Sequence, residues 1–529
     1  MLAGLKKVFG GGSRTPPVPA AGRQGAFFRG ERHMFLQGWN PALREMRHDV
    51  SVAWPRAAAR AIDAIENSGW IAGVIEEVVA QTIGDGLKLS YKPDPAIFGG
   101  NAAEAAAYAR MVEPRFRAWA STPHECDLQA RHTLGELTAS AYRAWFGMGE
   151  ILALLPLKRR PGTATRSKVL LLEPHQIERI TEPPRVVDGV VLDGDGAPRA
   201  YRIRRRRDDG LLDRVEIPVR TRQGRQQVLH VFTGWPGKVR GITPLAPALR
   251  VWRQYDQLAD ATLTNVLLQS LFAATLRSPA PPGEVYEALK SLDEAGQNPV
   301  AGYLSASAAW HEAMGKIDLG QHGKVLHLFP GEDLEFNSVK NPNATFEEFA
   351  NGLLREIARC IGVSFEQLSG DYRNATYSSV RMSIAQQWPL LLYRRKNIAA
   401  RLPQAAFEAW LEEQVLTGQI EFPGGPEAFL ASRYLATRAE WRGPGKPTAD
   451  ELKTARATEI ELKLGLLTLE SAAAERGHDW EDLADQRARE RARYEALGLD
   501  YPLDADGGQQ AAARGKAVDE MLAAEEQGA

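Results

Sequence analysis

Apolar residues recur every three to four positions along most of this chain, which is the spacing of one face of an α-helix. Leu87, Leu89 and Tyr91 instead alternate with polar residues, as in a half-buried β-strand. The helical pattern covers residues 41 to 83 with an interruption at 67 to 69, residues 101 to 120, residues 133 to 147 and much of the chain after 343. The pattern therefore predicts an α+β fold that is predominantly helical.

Strand patterns dominate the region before residue 233. ILALLPLKRR (151–160) and KVLLLEPHQI (168–177) read as buried strands, and alternating runs follow from 186 to 232. The DGDG stretch at 193 to 196 favours a hairpin turn. A calcium loop is the alternative, but the other carboxylates of a twelve-residue loop are missing.

The strongest helical signal begins at residue 243. Thr243 is a suitable N-cap, Pro244 fits the first helical position, and nothing breaks the pattern before Ser278 and Pro279. The predicted helix has about 34 residues and is about 50 Å long. That is well beyond the length of an ordinary globular helix.

A second helix is predicted from 343 to 363, with Thr345 and Glu348 at capping-box spacing and Gly362 at its end. Its expected apolar stripe consists of Phe346, Phe349, Leu353, Ile357 and Ile361. Another long helical run starts near Ser378, and Pro389 and Pro403 are each expected to kink or break it.

Composition and charge narrow the possible functions. The 529 residues include 65 basic and 66 acidic side chains, a net charge of −1, so tight DNA binding through a dominant basic surface is excluded. Cys126 and Cys360 form no CxxC pattern and are expected to be buried small residues. No apolar run reaches the roughly 18 residues that span a bilayer.

Signatures of catalysis are absent from the sequence. No Gly-Lys pair is followed by Ser or Thr as a phosphate-binding P-loop requires, and neither HExxH nor GxSxG occurs. The acidic group Glu332, Asp333 and Glu335 follows Pro330 and Gly331, which favours a solvated turn over a metal or acid–base site. We therefore expect no catalytic residue, no metal and no cofactor.

The polar stretch GDYRNATYSSVRMS (370–383) resembles part of an active site, but no histidine lies near its serines in sequence. It lies between two predicted helices, with Ser378 or Ser379 as the expected N-cap of the second.

Several stretches, in this order, resemble the lambda-type portal family of tailed bacteriophages. They are SGWIAGVIEEVVAQTIGDGLKL (68–89), GEILALLP (149–156), GKVRGITPLAP (237–247), LREIARCIGVSFEQLSGDYRNATYSSVR (354–381) and AAAERGHDWEDLADQRARERARYEALGL (472–499). The third and fourth are the most specific. The resemblance implies a portal fold of wing, stem, clip and crown, assembled into a ring of about twelve subunits.

The family architecture can be assigned to the segments of this chain. The assignment is a flexible N-terminal arm (1–30), a mixed α/β wing (31–242), stem helix 1 (243–277), the clip (278–342), stem helix 2 (343–363), a tunnel loop (364–380), a kinked wing helix with a linker (381–447), a crown (448–500) and a disordered tail (501–529).

The resemblance also implies the function and the partners. The ring would form a channel at one capsid vertex for packaging and ejection of double-stranded DNA. It would bind the terminase large subunit, then the head-to-tail connector, and the major capsid or scaffolding protein, with no membrane role. It would belong to the virion and assemble in the host bacterial cytoplasm.

Within that architecture the polar stretch divides into two parts. Ser369, Asp371, Tyr372, Arg373 and Asn374 are expected to face DNA in the tunnel, and Tyr377, Ser378, Ser379 and Arg381 to anchor the wing helix. An interface loop without DNA contact remains the alternative. For the whole chain, the alternatives are a terminase-type packaging enzyme and a head-to-tail adaptor ring, although adaptors are usually much shorter.

Overall fold

The computed structural model describes residues 44–206, 212–271, 275–276, 309, 326–327, 346–448, 450–499 and 501–502. The predictions for Glu332, Asp333, Glu335 and Thr345, and almost all of the predicted clip, lie outside these residues.

The N-terminal half of the described chain opens with helices. They are α1 (Met46–Asn67), α2 (Gly69–Ile83), α3 (Ala102–Ala120), α4 (Pro123–Cys126) and α5 (Leu134–Met148). The predicted interruption between α1 and α2 is confirmed, because Ser68 adopts an extended backbone there and its side chain accepts a hydrogen bond from the Ile71 amide at 3.2 Å. The strand predicted before α3 is also confirmed, as β1 (Lys88–Tyr91).

Two antiparallel sheets follow α5. Strands β2 (Glu150–Leu154), β3 (Leu170–Leu172) and β8 (Val228–Phe232) form the first, with β2 in the middle. The second contains, in spatial order, β4 (Val186–Val187), β5 (Val190–Leu192), β6 (Pro198–Arg206) and β7 (Leu212–Pro218). The DGDG stretch joins β5 to β6, and Asp193 Oδ1 accepts the amides of Asp195 at 3.0 Å and Ala197 at 2.8 Å. The hairpin turn is therefore confirmed.

The long helix predicted from Thr243 is shorter at both ends. Helix α6 runs over Leu249–Leu271, and Thr275–Leu276 forms strand β9, which pairs with β10 (Leu326–His327). Thr243 is not the N-cap. Its Oγ1 donates to the Phe146 carbonyl at 2.5 Å and accepts the Leu245 amide at 3.1 Å, so it fixes a turn before the helix.

The C-terminal half is mainly helical. Its elements are α7 (Phe346–Ile361), α8 (Phe365–Ser369), α9 (Tyr377–Arg394), a π-helical segment (Arg395–Ala399), α10 (Arg401–Leu416), α11 (Gly425–Ala431), α12 (Arg433–Ala436), β11 (Ala439–Arg442), α13 (Glu451–Lys463), α14 (Leu469–Glu475) and α15 (Trp480–Ala496). Strand β11 pairs antiparallel with β1 and thereby connects the two halves.

The predicted break in the last long helical run occurs at the π-helical segment. Pro389 lies within α9 and Pro403 within the first turn of α10. Pro403 has no N–H with which to bond the Ala399 carbonyl, and the amide of Ala400 reaches back five residues to Arg395 O at 2.8 Å. A kink at Pro389 stays a prediction.

The main core collects α2, α3, α5, α7 and α10 around the three-stranded sheet. Helix α7 buries Ala350, Leu354, Ile357, Ala358 and Ile361. The stripe predicted for this helix is therefore only partly right, because Phe349 is 60% exposed.

Helices α6 and α7 pack antiparallel to each other at the root of α6. Cys360 Sγ, near the end of α7, donates to the Pro244 carbonyl at 3.2 Å, just before α6. Leu245, Ala248 and Val251 share the core of Leu354 and Ile357. Beyond this root α6 is largely exposed, with Leu263 at 59%.

Candidate functional site

The polar stretch 370–376 is a short loop with a defined structure at both ends. Ser364 caps α8 by a reciprocal capping box with Gln367, and Gly370 ends that helix with φ +63°, a conformation that glycine adopts without strain. The predicted tunnel loop 364–380 thus contains one short helix and the first turn of α9, and apart from the cap residue Ser364 its non-helical part is 370–376.

The cap of α9 is Thr376, which corrects the sequence expectation. Thr376 Oγ1 accepts the Ser379 amide at 3.2 Å, and Ser379 Oγ accepts the Thr376 amide at 2.9 Å. Ser379 therefore closes the capping box from the third helical position, and Ser378 points into solvent. The sequence does not single out Thr376 because Thr376, Ser378 and Ser379 are all suitable N-cap residues within four positions.

Asp371 and Arg373 organise the loop. Asp371 Oδ1 accepts the Arg373 amide at 3.0 Å and Arg373 Nε at 2.9 Å, and Oδ2 accepts Arg373 Nη2 at 2.7 Å. Hydrogen bonds from the Arg373 side chain and amide lower the pKa of Asp371 to about 2. Arg373 Nη2 also donates to Glu347 Oε1, in the first turn of α7, at 2.7 Å.

The remaining predicted site residues differ in their contacts. Tyr372 is 52% exposed, and its carbonyl accepts the Ala375 amide at 3.0 Å. Ser369 Oγ accepts the Asp371 amide at 3.2 Å. Asn374 is exposed, as is Arg381, which has no hydrogen bond or ion pair with any residue that the structure describes.

Tyr377 lies beside the C-terminal helices. The ammonium group of Lys453, on α13, lies 5.9 Å from the Tyr377 ring centroid. The first residue of α9 thereby contacts the segment that was predicted to be the crown.

A buried ionic cluster that sequence reasoning missed lies where α6 begins. Arg240 donates to Glu150 through Nε at 2.9 Å and Nη2 at 2.7 Å, and His230 Nε2 lies 2.5 Å from the same carboxylate. Burial alone would raise the pKa of Glu150, but the Arg240 charge and hydrogen bonds from His230 and Arg240 outweigh it and lower this pKa to about 2. Trp54 covers the Arg240 guanidinium at 5.3 Å.

The cluster joins two of the stretches quoted for the resemblance, since Glu150 belongs to GEILALLP and Arg240 to GKVRGITPLAP. Glycines allow their close approach. A Cβ on Gly149 or Gly241 would meet backbone atoms of the other stretch. The available signal was the presence of charged residues in these mainly apolar stretches, Glu150 in the first and Lys238 and Arg240 in the second.

A second buried group lies at the π-helical segment. Arg394 Nη1 donates to the Ile361 carbonyl, at the end of α7, at 2.6 Å. Arg395 donates to the carbonyls of Thr82 at 2.9 Å and Gln81 at 3.0 Å, at the end of α2, and of Pro444 at 2.8 Å. Both guanidinium groups therefore offset the negative ends of helices, and neither has a carboxylate partner among the residues that the structure describes.

Catalytic arrangements are not evident in the described part of the chain. No group of three or more His, Cys, Asp and Glu residues there is placed to hold a metal ion. Cys126 is buried, and burial raises the pKa of its thiol to about 12, so it is not an activated nucleophile. Among the described helices, none has the length and apolar character needed to cross a bilayer.

The sequence of this chain matches a known protein family over most of its length. The model of the phage portal proteins of the lambda family matches residues 32–395, which include the ionic cluster, helices α6 and α7 and the polar loop. The chain belongs to the lambda family of phage portal proteins.

Individual relatives agree with the family match. The chain is 27% identical to the portal protein of Escherichia phage N15 over 482 residues, and 26% identical to portal protein B of Escherichia phage lambda over 479 residues. Each match covers 88% of this chain and 89% of the relative.

Two solved particles contain chains with 14% identity to this one. The neck of an empty gene transfer agent particle matches with a TM-score of 0.39 over 83% of this chain and 95% of the other, and the virion of a native gene transfer agent particle with 0.38 over 82% and 99%.

Proposed function

We propose that copies of this chain assemble into a ring, of about twelve subunits, that forms the channel for double-stranded DNA at one capsid vertex. Family membership gives this function its first support. The observation that carries it in this chain is the pair α6 and α7. Among the described residues these helices share a core at the root of α6 and expose apolar side chains elsewhere, including Leu263 at 59% and Phe349 at 60%. Neighbouring copies would cover these side chains.

The proposal assigns a role to each segment. The wing (31–242) would face the capsid or scaffolding protein and neighbouring copies, and the crown would comprise 448–500. The stem would comprise α6 and α7, as the structural counterparts of 243–277 and 343–363. The clip (278–342) would bind the terminase large subunit during packaging and the head-to-tail connector afterwards. The chain would be a structural protein of the virion, assembled in the host cytoplasm, and not an enzyme.

The loop 370–376 would line the tunnel. It connects α8 to α9 on the same side as the first turn of α7, to which Arg373 is bound. In this arrangement the exposed side chains of Tyr372 and Asn374 would lie nearest the passing duplex, with Ser369, Asp371 and Arg373 behind them. Tyr377, Ser378, Ser379 and Arg381 would anchor the start of the wing helix, together with the observed cap Thr376.

Assembly is the direct test of this function. Purified full-length protein should form rings with a central hole in negative-stain images and a single oligomer in native mass spectrometry. Leu263→Glu should shift the population toward monomer, because it places a charge in the proposed apolar contact. Gln254→Glu, at an exposed polar position of the same helix, is the matched control and should assemble normally.

Two results would contradict the proposal. One is a monodisperse folded monomer under all assembly conditions. The other is ATP hydrolysis by the purified protein without a partner, which would favour a packaging enzyme instead.

A further inference from the structure

The Arg373 side chain makes its contacts within its own chain. Its guanidinium is bound to Asp371 in the loop and to Glu347 in α7, at 2.7 Å from each carboxylate through Nη2 and at 2.9 Å from Asp371 through Nε. Bidentate guanidinium–carboxylate geometry is among the stronger charge-assisted arrangements. An arginine held in this way has few donors left for a DNA phosphate.

The charges of Arg373, Asp371 and Glu347 also disfavour contact with a DNA phosphate. Two carboxylates and one guanidinium leave this group with one net negative charge at neutral pH, so a phosphate approaching Arg373 is repelled by Asp371 and Glu347. A phosphate contact would require Arg373 to leave both partners.

The bond between Arg373 and Glu347 joins the loop 370–376 to α7. No other described side-chain hydrogen bond joins these two elements directly. Glu347 lies in the first turn of α7, and Asp371 lies 24 residues later, beyond α8. The Arg373 backbone also takes part, because its amide donates to Asp371 Oδ1 at 3.0 Å and so fixes the turn that presents the guanidinium. A cleft lined by Trp70, Tyr255 and Leu354 lies beside this group, so the loop is not held there by a continuous apolar core.

We infer that Arg373 is a positioning residue, a latch that holds the loop 370–376 against α7, and that it is not the loop's contact with DNA. The inference rests on the proposed function only for the role of the loop in the channel. The latch itself is a property of one chain. The Arg373 and Glu347 side chains are 71% and 61% exposed, whereas Asp371 is 24% exposed, so added salt weakens the bond between Arg373 and α7.

Hydrogen exchange of the loop amides tests the latch without DNA. In assembled full-length protein, Glu347→Gln and Arg373→Gln should each accelerate exchange of the peptide containing residues 370–376 several-fold. Glu348→Gln is the matched control for the first, since it removes a neighbouring exposed charge from the same helical turn. Arg381→Gln is the control for the second, and neither control should change loop exchange.

Salt provides an internal check on the same samples. Raising ionic strength from roughly 0.05 M to roughly 0.5 M, which shortens the screening length several-fold, should accelerate loop exchange in the unaltered protein. It should have much less effect in Glu347→Gln and Arg373→Gln, which have already lost the connection.

DNA association separates the two possible roles of Arg373. If Arg373 is a latch, Glu347→Gln and Arg373→Gln should change DNA retention by rings in the same direction. If Arg373 instead contacts a DNA phosphate, Glu347→Gln would free Arg373 and tighten DNA association. Arg373→Gln would then weaken DNA association and reduce its salt slope by about 1.

Opposite effects on DNA, or loop exchange that is unchanged in Glu347→Gln, would overturn the inference. Faster exchange in Arg373→Gln alone would also overturn it, because the loop would then depend on Asp371 and not on α7. Failure to form rings would count against the proposed function, while the exchange experiment on the monomer would still decide the latch.

Discussion

Arg240 Nη2 lies 2.7 Å from Glu150 Oε1, and Arg240 Nε lies 2.9 Å from Oε2 of the same carboxylate, with both side chains almost entirely buried. The pair ties the start of β2 to the turn that leads into α6. A buried charge is costly without its partner, so replacing one of these two residues should strongly destabilise the fold. Replacing both together with apolar residues need not destabilise it.

Arg240→Met should lower the free energy of unfolding by about 3–5 kcal/mol, because it leaves Glu150 buried with only His230 and the Gly241 amide as partners. Urea denaturation at a fixed protein concentration measures this loss, since assembly would otherwise shift the apparent stability. Arg438→Met, which breaks the exposed pair with Asp94 at 2.7 Å, is the control and should change stability by less than about 1 kcal/mol. Equal losses in the two variants would contradict the assigned importance of the buried pair.

Glu113 should make stability depend on pH in the opposite direction to an ordinary ion-paired carboxylate. Burial raises its pKa to about 7, with the charges of Asp482 and Asp479 adding to the effect. Between the ordinary carboxyl value near 4.5 and about 7 the folded protein binds more protons than the unfolded chain, so this contribution to stability falls as pH rises through that window.

Glu113→Gln keeps an oxygen for the Tyr91 amide and removes the charge. It should raise the free energy of unfolding by about 1–2 kcal/mol at pH 8 and leave it nearly unchanged at pH 4, after allowance for partial exposure. Glu104→Gln, at an exposed position of the same helix, should show no such pH dependence. Thermal unfolding across pH 4 to 8 would refute the prediction if the Glu113→Gln curve parallels that of the unaltered protein.

Two glycines on or just after α7 should respond to alanine in opposite ways. Gly362 has φ +90°, and an added Cβ would clash with Leu390, so Gly362→Ala should cost about 1–3 kcal/mol. Gly352 lies inside the helix with open space around it, and Gly352→Ala should gain about 0.5–1 kcal/mol. Denaturant midpoints of the two variants should move in opposite directions, and a shift in the same direction would show that α7 ends differently.

Thr376→Ala should destabilise the start of α9 by about 1 kcal/mol, because it removes the acceptor for the Ser379 amide. Ser378→Ala alters an exposed side chain and should stay within about 0.5 kcal/mol of the unaltered protein. Equilibrium denaturation combined with hydrogen exchange of residues 377–381 measures both. A larger effect from Ser378 would restore the cap expected from the sequence.

The sequence by itself determined the type and order of most elements. Periodicity located α1, α2, α3, α5 and the β-rich region, because each buries one face in the interior and its apolar spacing records that face. The family resemblance was also legible in the sequence, since it depends on the order of local stretches and not on their packing.

Tertiary structure alone decided the contacts between distant stretches and the ends of elements near them. Thr243 fits an N-cap locally, but its hydroxyl is used by the Phe146 carbonyl, 97 residues earlier, so the helix starts at Leu249. Phe349 matches a buried stripe by spacing, but no element of the described part of the chain covers it, and its exposure became visible only in the fold. Likewise, the sequence alone allowed Arg373 to be interpreted as a DNA contact. Its ion pair with Glu347, at 2.7 Å, is formed only in the fold.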